Sequence, residues 1–147
     1  MRNGKLGFGM IDRDLYPDGS YGNGAPMRVA SVGLLYYDDP RMLLDTACHC
    51  AGITHSHELG LEGAALQTCA MSPAVLADKD DIRTTEFYGA LRMFTNLRPY
   101  QEKLIKIVRL LEKDPSRETL AAEVSTGASS VKSVSVSIYS FGTSRAP

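Results

Sequence analysis

Gly19-Ser20-Tyr21-Gly22-Asn23-Gly24 places three glycines within six residues, just ahead of Ala25-Pro26 and an apolar run. Glycine admits positive φ and lets a ligand come close to the backbone. A helix start offers unpaired N–H donors and a partial positive charge. A glycine-dense turn feeding a helix therefore suits a phosphate or pyrophosphate. Arg28, one turn in, could add charge. The plainer alternative is a loop-to-helix turn with Asn23 as its cap. The stretch is neither a Walker A pattern nor a G-x-G-x-x-G opening after a strand, so the two standard nucleotide fingerprints do not apply.

Three other groupings could do chemistry. In Ile53 to Ala64, "ITHSHELGLEGA", His55 and His57 stand two apart ahead of Gly60 and Gly63. They would diverge on a helix and align on a strand; the alternative is a polar turn between helices. Cys48-His49-Cys50 with His55 and His57 offers zinc-type ligands. The spacing fits no standard finger, and a helix would splay the three around its axis. Small buried cysteines on an Ala-rich helix explain them better. Asp38-Asp39 and Asp78-Lys79-Asp80-Asp81 could bind Mg²⁺ or Ca²⁺ through oxygen. Capping explains the first pair and a solvated loop the second.

These residues need elements to position them. Residues 1–18 are turn-forming and loop-like, with Pro17-Asp18-Gly19 as a turn signal. A first helix is expected to open with Pro26 in its first turn and to run to Tyr37. It is apolar nearly all round and so reads as buried. Asp39 then caps a second helix with Pro40 at its first position. A third spans about Leu61 to Leu76, and Ala77 to Arg83 reads as a loop. A fourth covers Thr85 to Phe94. A fifth covers Pro99 to Lys113, with Leu104, Val108 and Leu111 at i, i+4 and i+7. A short helix follows Pro115 or Ser116 and ends near Val124. In "SSVKSVSVSIYSF", Val134, Val136 and Ile138 alternate with serines like a strand. Val131, Val134, Ile138 and Phe141 equally fit one helix face. No other convincing strand offers a partner, so helix is the expectation and the fold class is all-α.

Composition narrows the function classes. The 147 residues suit one domain and carry a net charge of -1. That near balance gives no electrostatic footprint for nucleic acid. No apolar run approaches the roughly 18 residues of a membrane span, and the N-terminal residues lack a secretory apolar core. Three cysteines, Cys48, Cys50 and Cys69, favour reduced thiols in an intracellular compartment.

Taken together, the motifs resemble the ADP-ribosylglycohydrolase family, which includes the dinitrogenase reductase-activating glycohydrolase and the J1 crystallins. The resemblance rests on Gly19-Ser20-Tyr21-Gly22-Asn23-Gly24-Ala25-Pro26-Met27-Arg28-Val29-Ala30. Thr54-His55-Ser56-His57-Glu58-Leu59-Gly60-Leu61-Glu62-Gly63-Ala64 follows about 25 residues later, in the family's order and spacing. Arg98-Pro99-Tyr100, the Leu104 to Leu111 helix and Ser133 to Phe141 resemble the animal ADP-ribosylhydrolase 3 branch. The resemblance implies an orthogonal helical bundle, here a partial domain over 19–141 with N- and C-terminal helices lacking and a tail at 142–147.

It also implies roles. Gly19, Ser20, Tyr21 and Gly22 match the loop holding the diphosphate and distal ribose of ADP-ribose. Asn23 and Gly24 extend that turn, and His55 matches a ligand-contacting histidine, with Gly60 in its turn. Met27 and Arg28 match the helix behind the site, where packing is the expected role. The activity implied is release of ADP-ribose from serine or from poly(ADP-ribose), with two Mg²⁺ ions as cofactor. The partners implied are ADP-ribose or ADP-ribosylated protein, and no membrane. A monomer is implied for the complete domain, in nucleus, cytoplasm or mitochondrion.

The family's Thr-Asp-Asp-Thr and Gly-Gly-Asp-Thr-Asp metal blocks have no match here. No catalytic and no metal-binding residue is therefore assigned, and the chain alone is expected to be inactive. The alternative is a non-catalytic ADP-ribose-binding or crystallin-like structural protein. The apolar surface around Val32 to Tyr36, or Ala64 to Leu66, is expected to lie open.

Overall fold

The computed structural model describes residues 16–76, 84–113, 116–124 and 127–143. Among them the chain forms eight helices and no strand, so the all-α reading holds. They are α1 (Gly24–Arg28), α2 (Ala30–Leu35), α3 (Pro40–Gly52), α4 (Glu58–Leu76), α5 (Thr84–Phe94), α6 (Arg98–Leu111), α7 (Arg117–Val124) and α8 (Ser130–Thr143). The readings made for residues 1–15 and for the Ala77 to Arg83 loop fall outside the described residues.

α4 is the hub, packed against α1, α2, α3, α5 and α8. Its composition explains this. Ala64 faces one buried cluster with Ala25, Val29, Val32, Ala47 and Ala51. Leu66 and Ala70 face a second, with Tyr88, Leu91, Tyr100, Leu104, Ile107, Val134 and Ile138. A helix apolar on all sides must be covered on all sides. Ala64 to Leu66 are accordingly buried, and the expectation that they lie open is wrong.

The first expected helix is corrected too. It breaks at Val29 into α1 and α2. Val29 is fully buried in the cluster beneath α4 and forms the joint. Met27 and Leu35 lie outward, at 72% and 71% exposed, so the run is not buried all round.

Caps and stripes set the other helices. Asp39 accepts the Met42 N–H at 3.0 Å, with Pro40 in the first turn, as its spacing predicts. Leu97 caps α6 without a side-chain bond. Glu62 of α4 fixes the turn that leads into it: Oε1 accepts from Asn96 N and Leu97 N at 3.0 Å each, and from the Thr95 hydroxyl. A carboxylate at a helix start also complements the helix dipole. The buried stripe of α6 is Tyr100, Leu104, Ile107 and Leu110. Val108 and Leu111, expected on that stripe, flank it half-buried.

α8 resolves the strand-or-helix ambiguity. Val134 and Ile138 enter the core, with Val131 and Phe141 partly covered. Its serines bond back along the helix: Ser135 Oγ donates to Val131 O at 2.6 Å and Ser137 Oγ to Val134 O at 3.3 Å. Such bonds to the preceding turn are the way a serine hydroxyl is accommodated inside a helix.

Burial leaves a pH signature. Desolvation, then the charge of Cys48, pushes the Cys69 thiol from 9.0 up to about 12. Burial, then Asp45 and Glu62, raises Cys48. Burial also raises the phenols of Tyr88 and Tyr100 above 10.0. The fold thus retains protons that the unfolded chain releases, and stability falls wherever the unfolded state binds fewer. Stability is expected to be full below pH 9.0, the unfolded cysteine value, and to be lost progressively as pH rises through about 12. Urea midpoints measured across that range should fall; a flat profile would contradict it.

Candidate functional site

The glycine loop is built on a turn. Gly19 N donates to Tyr16 O at 2.8 Å, and Gly19 adopts φ +83, a left-handed conformation natural only to glycine. The same residue lies against the turn after α3. A Cβ there would meet His57 N and Ser56 Oγ at 2.5 Å each. Gly60, at the start of α4, faces the loop from below, and its own Cβ would lie 2.9 Å from Ser20 O.

The far side of the loop is fastened to the start of α8. Gly22 and Ser129 form an antiparallel bridge. Ser130 N donates to Tyr21 O at 2.8 Å, Asn23 N to Ala128 O at 2.7 Å, and Ser130 Oγ to Gly22 O at 2.7 Å. Asn23 does not cap α1 with its side chain. Its Nδ2 instead donates to Ser133 Oγ at 3.0 Å. The plain-cap reading of Asn23 is therefore replaced by a cross-chain fastening. Within the loop, Gly22 N donates to Ser20 Oγ at 3.3 Å.

Both histidines of "ITHSHELG" reach this loop. The His55 ring lies along Gly22 and Gly24: Nε2 is 3.3 Å from the Cβ position of each, and Cε1 3.1 Å from that of Gly24. The His57 ring tilts against Tyr21, centroids 5.1 Å apart, and Tyr21 is half exposed. His57 Nδ1 accepts the Leu59 N–H at 3.0 Å, so this residue starts α4. The structure thus gathers Gly19, Ser20, Tyr21, Gly22, Asn23, Gly24 and His55 into one surface. The glycines lie against the His55 ring, and an exposed tyrosine edges the surface.

Sequence reasoning missed several residues here. Ser129, Ser130 and Ser133 fasten the loop, and the paired serines opening the last segment were the only signal for them. Arg28, read as an added charge and, from the resemblance, as packing, is exposed. It donates from Nε to Gly24 O at 3.1 Å and from Nη2 to Thr54 Oγ1 at 2.7 Å. Gly63 allows α4, α6 and α8 to converge beneath the site, where the Tyr100 hydroxyl donates to Leu59 O at 2.7 Å.

The zinc grouping separates. His49 is exposed and its Nδ1 contacts Asp45 O at 2.5 Å, while Cys50 packs against the cluster of Ala47 and Ala51. Among the described residues, no three of His, Cys, Asp and Glu come together to hold a metal ion. No described helix is long and apolar enough to cross a membrane.

Comparison with known proteins fits this geometry. The family model for ADP-ribosylglycohydrolase matches residues 2–146, beyond the Gly19 to Phe141 span carried by the motifs. The chain is 32% identical over 139 residues to ADP-ribosylhydrolase ARH3 of Bos taurus, covering 84% of this chain and 38% of the relative. Against the Xenopus tropicalis protein of the same name it is 33% identical over 141 residues, covering 84% and 39%. Against the Homo sapiens one it is 32% identical over 139 residues, covering 84% and 38%. The chain therefore spans under two-fifths of the length of these relatives. Matched along nearly its whole length, and with the family's two motif blocks folded against each other, the chain belongs to the ADP-ribosylglycohydrolase family and is similar to its ARH3 members.

Proposed function

We propose that this chain supplies the diphosphate- and ribose-holding part of an ADP-ribosylhydrolase. The substrate is ADP-ribose attached through oxygen to serine, or linked in poly(ADP-ribose). Gly19 to Gly24 seat the diphosphate and distal ribose, and His55 contacts the ligand. The observation that carries this reading is the single surface made by the six loop residues and the His55 ring. Glycine walls let anionic oxygens approach the backbone, where a side chain would exclude them.

The family reaction uses two Mg²⁺ ions, which polarise the sugar and position the attacking oxygen. The described residues do not fit that pair, because their carboxylates form no such cluster. What they do fit is binding. Contacts to a diphosphate hold ground state and transition state alike and do not by themselves speed the chemistry. The chain alone is therefore proposed to bind ADP-ribose weakly and to release little from a serine-ADP-ribosylated peptide in Mg²⁺ buffer. In the complete domain the reading implies a monomer acting on ADP-ribosylated protein in nucleus, cytoplasm or mitochondrion, in the response to DNA damage.

Titration calorimetry of the chain with ADP-ribose tests the binding. One site is expected, weakened about tenfold or more by Gly22→Val, whose side chain would press on His55 Nε2 and fill the cradle. Absence of heat at millimolar ligand, or equal affinity in Gly22→Val, would overturn the reading.

A further inference from the structure

We propose that the cavity between α3, α4 and α5 is a second ligand site, taking a small neutral aromatic molecule with one N–H or O–H donor. The cavity measures about 210 Å³ and is walled by Leu43, Phe87, Leu91, Phe94 and Pro73. Leu43, Phe87 and Leu91 are buried at its floor, while Pro40 and Ala90 are exposed at its mouth. An apolar cavity of about 150 Å³ is already enough to hold benzene. The two phenylalanine rings suit a flat, aromatic guest. Among the described residues no charged side chain lines the cavity, which favours a neutral guest over an ion.

The donor follows from a proline. Pro73 lies inside α4, and Pro73 and Cys69 both line the cavity. Proline has no N–H, so the bond owed to the carbonyl four residues back is lost. That carbonyl belongs to Cys69, inside the helix rather than among its last four. The proline ring takes the place of the missing hydrogen, which sets the freed carbonyl at the cavity wall. Ser72 is the neighbour whose hydroxyl could serve it, through a bond one turn back. That hydroxyl donates instead to Tyr37 O, on the segment between α2 and α3. An acceptor held from water without a donor is costly, and a ligand N–H or O–H offsets that cost. The site stands apart from the glycine loop: Gly60 faces the loop, and Cys69 lies about 14 Å further along α4.

Methyl spectra of the intact chain, titrated with indole and with indene, provide the test. Indene has the same bicyclic shape and no N–H. Both are expected to shift the methyls of Leu43 and Leu91 saturably. Those of Val29 and Val32, in the other cluster, are expected to stay in place. Pro73→Ala returns an N–H to Cys69 O and suits a helix better than proline, so the variant is expected to fold. It should weaken indole about fivefold or more, the loss of one hydrogen bond, and change indene by no more than about twofold. That selective loss supports the site, whether or not the chain binds ADP-ribose. No saturable shift at Leu43 and Leu91, or a Pro73→Ala variant that treats indole and indene alike, overturns it.

Discussion

Gly19→Ala is expected to destabilise the chain by about 3 kcal/mol or more and to abolish the loop surface. Two costs combine. A side chain at φ +83 carries the left-handed penalty of about 1–2 kcal/mol. The added methyl also meets the His57 amide nitrogen, the Ser56 hydroxyl at 2.5 Å and the Ser56 carbonyl carbon at 2.8 Å. Two of those three atoms are backbone at the start of α4 and cannot swing aside, so overpacking adds about 1–3 kcal/mol. The melting temperature should fall on the order of 10 °C for a chain of this size. The loop should also detach from the His55–His57 turn, so that ADP-ribose binding is lost even below the melt. A variant melting within about 2 °C of wild type with its loop contacts intact would show that the turn is not held as described.

Gly63→Ala tests the support beneath the site. Three helices meet there because one residue has no side chain. A Cβ would stand 2.2 Å from the Tyr100 hydroxyl oxygen and 3.0 Å from Ser130 Cβ. Tyr100 is almost fully buried and its hydroxyl is bonded to Leu59 O, so it cannot rotate away. Ser130 holds the loop through Gly22 O and Tyr21 O, so strain there passes to the site. The expected loss is about 2–4 kcal/mol, measured by urea unfolding. Adding Tyr100→Phe removes the closest atom and should return part of that loss. By itself Tyr100→Phe should cost about 1 kcal/mol for the bond to Leu59 O. Strict additivity of the two changes would mean that they do not meet, contrary to the packing described here.

Much of the fold was legible because its helices announce themselves. Asp39-Pro40 is a cap with a proline behind it, and the structure uses it so. α6 was legible as a helix but not in phase. Its apolar residues form two overlapping stripes: Tyr100, Leu104 and Ile107 enter the cluster with Val134 and Ile138, Val108 and Leu111 pack against its edge, and Leu110 is buried outside it. The break at Val29 left no local mark, since neither glycine nor proline sits there; tertiary burial of Val29 makes it. The last segment was legible as a helix only because no partner strand was in sight; its serines alternate like the outer face of a strand, and in the structure their hydroxyls bond carbonyls one turn back.

The candidate site was legible in its glycines and in His55, because those types have few reasons to cluster. Its fastening was not. The partners of Tyr21, Gly22 and Asn23 lie at residues 128–133, and no local pattern pairs a glycine loop with a serine pair so distant. Arg28 was read from the residues as an added charge and from the resemblance as packing; the structure exposes it and bonds its guanidinium to Gly24 O and Thr54 Oγ1.

That fastening fixes when the site can exist. Asn23 and Ser133 are 110 residues apart, so the loop's bonds to α8 wait until residues 128–133 have been made. At about 5–20 residues per second, synthesis leaves the loop unanchored for several seconds after it is made. In refolding, the same separation places loop closure behind the docking of α8, since long-range contacts carry their entropic cost before any return. The loop surface is thus completed only once residues 128–133 are in place, and its order reports that α8 has docked.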